Sequence, residues 1–152
     1  MTGAEPQFWC RARLKTSEKI SKIRKVKFTI SEIIPAKPAE IYEAWLSTEG
    51  HTAMTDSPAK VDGNVGGEFS AWDGYIFGKT MELTPNQRIL QTWRTTEFPN
   101  DAADSQLMIL LEKVPEGTKV TITHSDMPED QVDSYRQGWE DFYFKPMKEY
   151  FK

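Results

Sequence analysis

The chain has one cysteine, two histidines and no apolar run near the roughly 18 residues that a membrane-spanning helix needs. Each shortage removes a class of function. A single thiol, Cys10, cannot close an internal disulfide, and its isolation points to a reducing compartment. His51, His124 and Cys10 form no cluster with metal-ligand spacing, so neither a metal nor another cofactor is expected. The start, MTGAEPQFWCRARLK, has no apolar signal region. A cytoplasmic protein with no membrane insertion is therefore expected. GNVGGEF (63–69) precedes a strand pattern instead of opening a helix, so it is no phosphate-binding loop. No serine sits in a nucleophile elbow, and no catalytic residue is assigned.

Charge of one sign is also scarce where the other gathers. Residues 1–27 hold eight Lys/Arg against Glu5 and Glu18, a net +6. The remainder holds 11 Lys/Arg against 21 Asp/Glu, a net −10. An acidic body argues against a phosphate backbone as the main partner, so nucleic acid is not expected. Residues 1–22 lack periodicity and read as a basic, flexible arm, with 23–152 as a single domain. A monomer is expected.

Aromatic residues, by contrast, are plentiful at 12%, five of them Trp. GGEFSAWDGYIFGK (66–79) places four rings and four glycines in fourteen positions. The surrounding periodicities explain why. KVKFTISEII (25–34) alternates as a half-buried strand, with Val26, Phe28 and Ile30 on one side. Pro38 suits a helix first turn, and PAEIYEAWLS sets Ile41, Ala44 and Trp45 on one helical face, with Gly50 as its end. HTAMTDSPAKVDGNVGG (51–67) is turn-rich, with room for a short helix and a short strand. His51 is expected at the surface.

GEFSAW, YIFGKTMEL, RILQTWRTTEF, SQLMILLEKV and TKVTITH then read as consecutive antiparallel strands. Asp73-Gly74 is a hairpin signal between the first two. Phe69 and Trp72 are expected on opposite faces of their strand, and Gly66, Gly67 and Gly78 allow it to bend. From Glu129 the period changes to helical, with Val132, Tyr135, Trp139, Phe142, Tyr143, Met147 and Tyr150 in one stripe. Pro146 should kink that helix or interrupt its hydrogen bonding.

The result is an α+β chain: a curved antiparallel sheet of about six strands wrapped around a long C-terminal helix. The space between them would be lined by Trp45, Met54, Phe69, Met81, Trp93, His124, Trp139 and Tyr143. These are the candidate walls of a pocket for a small apolar ligand, or else a packed core. His124 follows Val120 and Ile122 at period two, so it faces inward, where it could act as a general base.

PAEIYEAW, GGEFSAWDGYIFGKTMELTPNQRILQTWR and RQGWEDFYFKPMKEYF, in this order, carry a family resemblance over residues 26–152. The chain resembles the START-like, helix-grip superfamily (the birch-pollen-allergen-like fold). Within it, the chain is similar to the C-terminal domain of activators of the heat-shock protein 90 ATPase. The resemblance implies a non-enzymatic domain and a heat-shock protein 90-type chaperone as partner; the alternative it leaves open is a small enzyme of the cyclase or dehydratase type seen elsewhere in the superfamily, using His124. It also implies that the separate N-terminal domain of full-length activators, a source of much of their stimulation, is too large for the 25 residues before the first strand.

Overall fold

The computed structural model describes residues 26–152; the arm at 1–22 lies outside them. Seven strands form one antiparallel sheet: β1 (Lys27–Ile34), β2 (Lys60–Val61), β3 (Glu68–Ala71), β4 (Ile76–Thr84), β5 (Arg88–Thr95), β6 (Ser105–Val114) and β7 (Gly117–Ser125). Their spatial order is β1-β7-β6-β5-β4-β3-β2. The meander β3 to β7 needs only turns. β1 instead returns to pair with β7, Phe28 opposite His124 and Ile34 opposite Thr118. The count exceeds the expected six by the two-residue β2.

Period-two patterning decides what the sheet buries. Along β5 the buried residues are Ile89, Gln91, Trp93 and Thr95; along β7 they are Thr118, Val120, Ile122 and His124. On β4 the pairing slips between Thr80 and Glu82, so Met81 is the extra residue of a bulge. Gly78 is required by close approach, since a Cβ there would lie 2.1 Å from the Thr92 carbonyl oxygen.

Two helices, α1 (Pro38–Trp45) and α2 (Thr48–Thr55), fill the link from β1 to β2. Pro38 occupies the first turn of α1, and Ile41 and Trp45 are its buried residues. Gly50 does not end α1. Ser47 caps a new helix by accepting the Gly50 N–H at 3.0 Å, which places Gly50 in the first turn of α2. A Cβ at Gly50 would lie 2.5 Å from the Ala44 Cα, so the two helices can meet this closely only at glycine.

The C-terminal helix opens with a single 3-10 turn, Glu129–Gln131, followed by α3 (Val132–Gly138), a π-helical stretch (Trp139–Phe144) and α4 (Lys145–Tyr150). Its irregularity lies before Pro146, not at it. The Lys145 N–H reaches back five residues to the Glu140 carbonyl, a wider spacing than the α-helix uses. The helix thereby runs on through a residue that has no N–H to give.

Trp72 also departs from strand geometry. β3 ends at Ala71, and Trp72, Asp73 and Gly74 take φ of 53°, 57° and 88° in the turn. The ring therefore leaves the pleat and meets Phe142 of the C-terminal helix edge-on at 5.3 Å. Phe69 and Trp72 are both buried, not divided between two faces.

Trp139 is fully buried beneath the sheet and touches Trp45, Trp93 and Tyr143. Trp139→Ala is expected to cost about 3–5 kcal/mol of stability, the range for truncating a large buried aromatic. Urea unfolding followed by circular dichroism measures this; a loss below about 1 kcal/mol would show that the helix does not depend on this ring.

Candidate functional site

Seven of the eight residues expected to line the interior lie buried: Trp45, Met54, Phe69, Trp93, His124, Trp139 and Tyr143. Met81 does not join them. It is 49% exposed, as the extra residue of the β4 bulge. Five of the seven interlock as rings. Trp45 stacks on Trp139 at 6.2 Å, and Tyr143 lies 5.0 Å and 4.7 Å from these two indoles. Trp93 meets His124 edge-on at 4.4 Å and Trp139 at 5.8 Å. Rings spaced this way fill the volume they enclose.

Two histidines are built into this packing with opposite tautomers. His51 is not at the surface: α2 buries it, together with Met54 and Thr55. Its Nδ1 lies 3.0 Å from the Trp45 carbonyl oxygen, which can only accept, so Nδ1 carries the proton. Nε2 then accepts from the Tyr143 hydroxyl at 2.7 Å. For His124 the assignment reverses. The Trp139 indole N–H donates to Nδ1 at 3.1 Å, so the proton sits on Nε2 and goes to Ser105 Oγ at 2.9 Å. Ser105 in turn donates to the Trp93 carbonyl at 2.6 Å.

A third polar chain runs alongside. Tyr135 donates to Gln131 Oε1 at 2.5 Å and meets Thr95 Oγ1 at 2.8 Å, and the Gln131 amide donates to the Glu97 carbonyl. His51, Thr95, Ser105 and Gln131 thus belong to the interior although the sequence reading assigned none of them to it, whereas Tyr135 lies on the apolar helical stripe as expected. Thr95 and Ser105 carried a signal, since they hold the inward parity of β5 and β6.

Burial sets the electrostatics. Desolvation lowers His124 to about 3 and His51 to about 4, the latter offset in part by its backbone hydrogen bond. Both rings are neutral at physiological pH. Burial pushes the Tyr143 hydroxyl well above its usual range, with the Trp72 indole pulling slightly the other way. His124 has both nitrogens occupied, and the nearest tyrosine, Tyr135, stacks on it at 6.3 Å with its hydroxyl turned to Gln131 and Thr95. The histidine–tyrosine hydrogen bond in this core is His51–Tyr143.

Among the described residues, no three His, Cys, Asp or Glu side chains are placed to share a metal ion. No helix there is long and apolar enough to cross a membrane. An open surface concavity of about 440 Å³ is lined by Lys37, Pro38, Ala39, Asn86, Gln87, Leu111 and Lys113, none of them a ring residue.

Residues 35–152 match the family described as Activator of Hsp90 ATPase homolog 1-like protein. The chain is 28% identical over 130 residues to the human protein named Activator of 90 kDa heat shock protein ATPase homolog 1, covering 86% of this chain and 38% of that one. The chain thus spans well under half the length of this curated relative. A solved HSP90 activator from Plasmodium falciparum superposes with a TM-score of 0.73 at 25% identity, over 80% of this chain and 93% of that one. The Aha1 dimer from Colwellia psychrerythraea superposes at 0.66 with 23% identity, covering 77% and 90%, and shares the fold. The curated human relative is named as an activator of an ATPase, not as an enzyme.

The two histidines predict an acid-sensitive fold. In the unfolded chain each titrates near 6.5, whereas the folded chain holds them unprotonated to about 4 and about 3. The stability they contribute is therefore complete above pH 6.5 and lost as pH falls below it. The slope is about 1.4 kcal/mol per pH unit per histidine, or about 2 kcal/mol each at pH 5. Urea midpoints at pH 7 and pH 5 should show this fall, and His124→Gln should roughly halve the histidine-dependent part of it. An equal fall in the variant would mean that His124 is not held neutral by burial.

Proposed function

Because the chain belongs to the Activator of Hsp90 ATPase homolog 1-like family, we propose that it works by surface contact with an Hsp90-type chaperone. The observation that carries this reading is the interlocked interior. Trp45, Trp93, His124, Trp139 and Tyr143 occupy the space between sheet and helix, and the polar side-chain atoms of His124, Trp139 and Tyr143 are hydrogen-bonded within this core. An apolar ligand would have to displace a ring, and acid–base chemistry would need His124 to give up both hydrogen bonds. The outer surface of the domain is free of both restrictions.

Binding and stimulation are separable. Stimulating an ATPase requires preferring the chaperone's hydrolysing conformation, and a tenfold population shift takes about 1.4 kcal/mol of differential binding. Two linked modules achieve this easily, because the second contact forms at high effective concentration. This chain aligns with 38% of the human activator. Added by itself to a chaperone, it is expected to bind with little stimulation of steady-state ATP hydrolysis at physiological salt. Calorimetry and a coupled ATPase assay, run side by side, test both halves. Absence of binding to chaperones from several sources sinks the partner reading; robust stimulation makes this single domain sufficient. Saturable quenching of tryptophan fluorescence by a small apolar compound, with shifts at Trp93 and Trp139, would favour the enclosed-ligand reading instead.

A further inference from the structure

The register of the sheet sorts the loops into two sets. At one end lie the start of β1 and β6 and the end of β3, β5 and β7, because Lys27 pairs with Ser125, Ser125 with Gln106, Trp93 with Ser105 and Ala71 with Ile76. The segments at that end are 56–59, 72–75, 96–104 and 126–133, the last running into the first turn of α3. Together they carry nine Asp/Glu and no Lys or Arg. Two of these carboxylates have arginine partners from adjoining elements, Asp104 with Arg94 at 2.9 Å and Asp133 with Arg136 at 3.6 Å. The excess at this rim remains strongly negative. The opposite end shows nothing comparable: its connections at 35–37, 62–67, 85–87 and 115–116 hold one lysine, one aspartate and one glutamate.

The acidic rim is also where the chain enters the sheet. The Asp126 N–H bonds the Val26 carbonyl at 2.8 Å, which fixes the junction among the acidic loops. Immediately before Val26, residues 11–25 carry seven Lys/Arg and one glutamate. The most basic stretch of the protein is thus tethered to its most acidic surface. Fifteen residues extend to about 50 Å, whereas seven strands at about 4.8 Å spacing span about 29 Å. The segment can reach every loop of the rim.

We infer that the acidic rim is a docking surface for the chain's own basic segment, residues 11–25. The attraction is built from many exposed charge pairs, each weak alone and screened beyond about 8 Å at physiological ionic strength. What makes the sum count is the tether, which holds the segment at high effective concentration beside its surface. A basic surface on another molecule would have to displace the segment to reach the rim. The inference stands independently of the chaperone reading.

Cys10, the sole thiol of the chain, adjoins the segment and accepts a nitroxide label. In the 152-residue chain at 20 mM NaCl, that label should broaden amide signals across 72–75, 96–104 and 126–133, while 85–87 and 115–116 stay sharp. Raising NaCl to 0.5 M should restore the broadened signals at least severalfold. Asp73→Asn, Asp101→Asn and Asp130→Asn combined should do the same at low salt, whereas Glu112→Gln with Glu116→Gln should not. A loosely tethered segment would broaden only signals near residue 126, indifferent to salt and to the triple substitution, and that result overturns the inference. So does broadening that fades on dilution of labelled into unlabelled protein, which would place the contact between two copies.

Discussion

The indole of Trp139 is the point at which the layers of this protein are joined. It both stacks on α1, through Trp45, and hydrogen-bonds the sheet, through His124 on β7. It also contacts Trp93 on β5 and Tyr143 one turn further along its own helix. The direction of its hydrogen bond has consequences. Because an indole can only donate, His124 must accept at Nδ1, which commits Nε2 to Ser105 and Ser105 to the Trp93 carbonyl. One donor thus fixes a tautomer, a serine rotamer and the seat of a second tryptophan.

The same logic shows why this interior tolerates so many polar atoms. A buried polar group left without a partner costs more than a made hydrogen bond returns. Here the partners come from separate parts of the chain: Tyr143 serves His51 across 92 residues, and Thr118 reaches the Ala36 carbonyl across 82. Such pairings specify one arrangement of helix on sheet, where a purely apolar face would accept several registers. A core specified in this way holds its surface in one shape, which suits the surface contact proposed above.

Much of this was legible in the sequence. The strict alternation of RILQTWRT and TKVTITH pointed Trp93 and His124 inward, and helical spacing aligned Tyr135, Trp139 and Tyr143. His51 was not legible, because Gly50, Asp56 and Pro58 make its neighbourhood read as turn, and its burial depends on a tyrosine far along the chain. Gly50 looked like a helix end because glycine favours ends; the packing of α1 against α2 used it for its missing side chain instead. Met81 fell out of the interior through a one-residue bulge, which strand periodicity does not register. Trp72 escaped its parity because three successive left-handed residues turned the chain beneath it. Local patterns therefore gave the elements and most of their faces. Pairings between distant residues and departures from ideal geometry stayed hidden.

The pairing of β1 with β7 has a kinetic side. Lys27 sits opposite Ser125, so the first strand has no neighbour in the sheet until β7 is available. The entropic cost of closing so long a loop grows only logarithmically with its length, so the finished sheet is scarcely penalised. The rate is another matter, because non-local pairings must be found before they repay their ordering. During synthesis the β3–β7 meander can assemble from adjacent hairpins, whereas β1, α1 and Trp45 wait. The last turns of the C-terminal helix must then arrive before the shared aromatic cluster closes. A nascent chain of this fold therefore exposes its most ring-rich surface until the C-terminal helix has emerged, and itself presents the kind of apolar surface that chaperones bind.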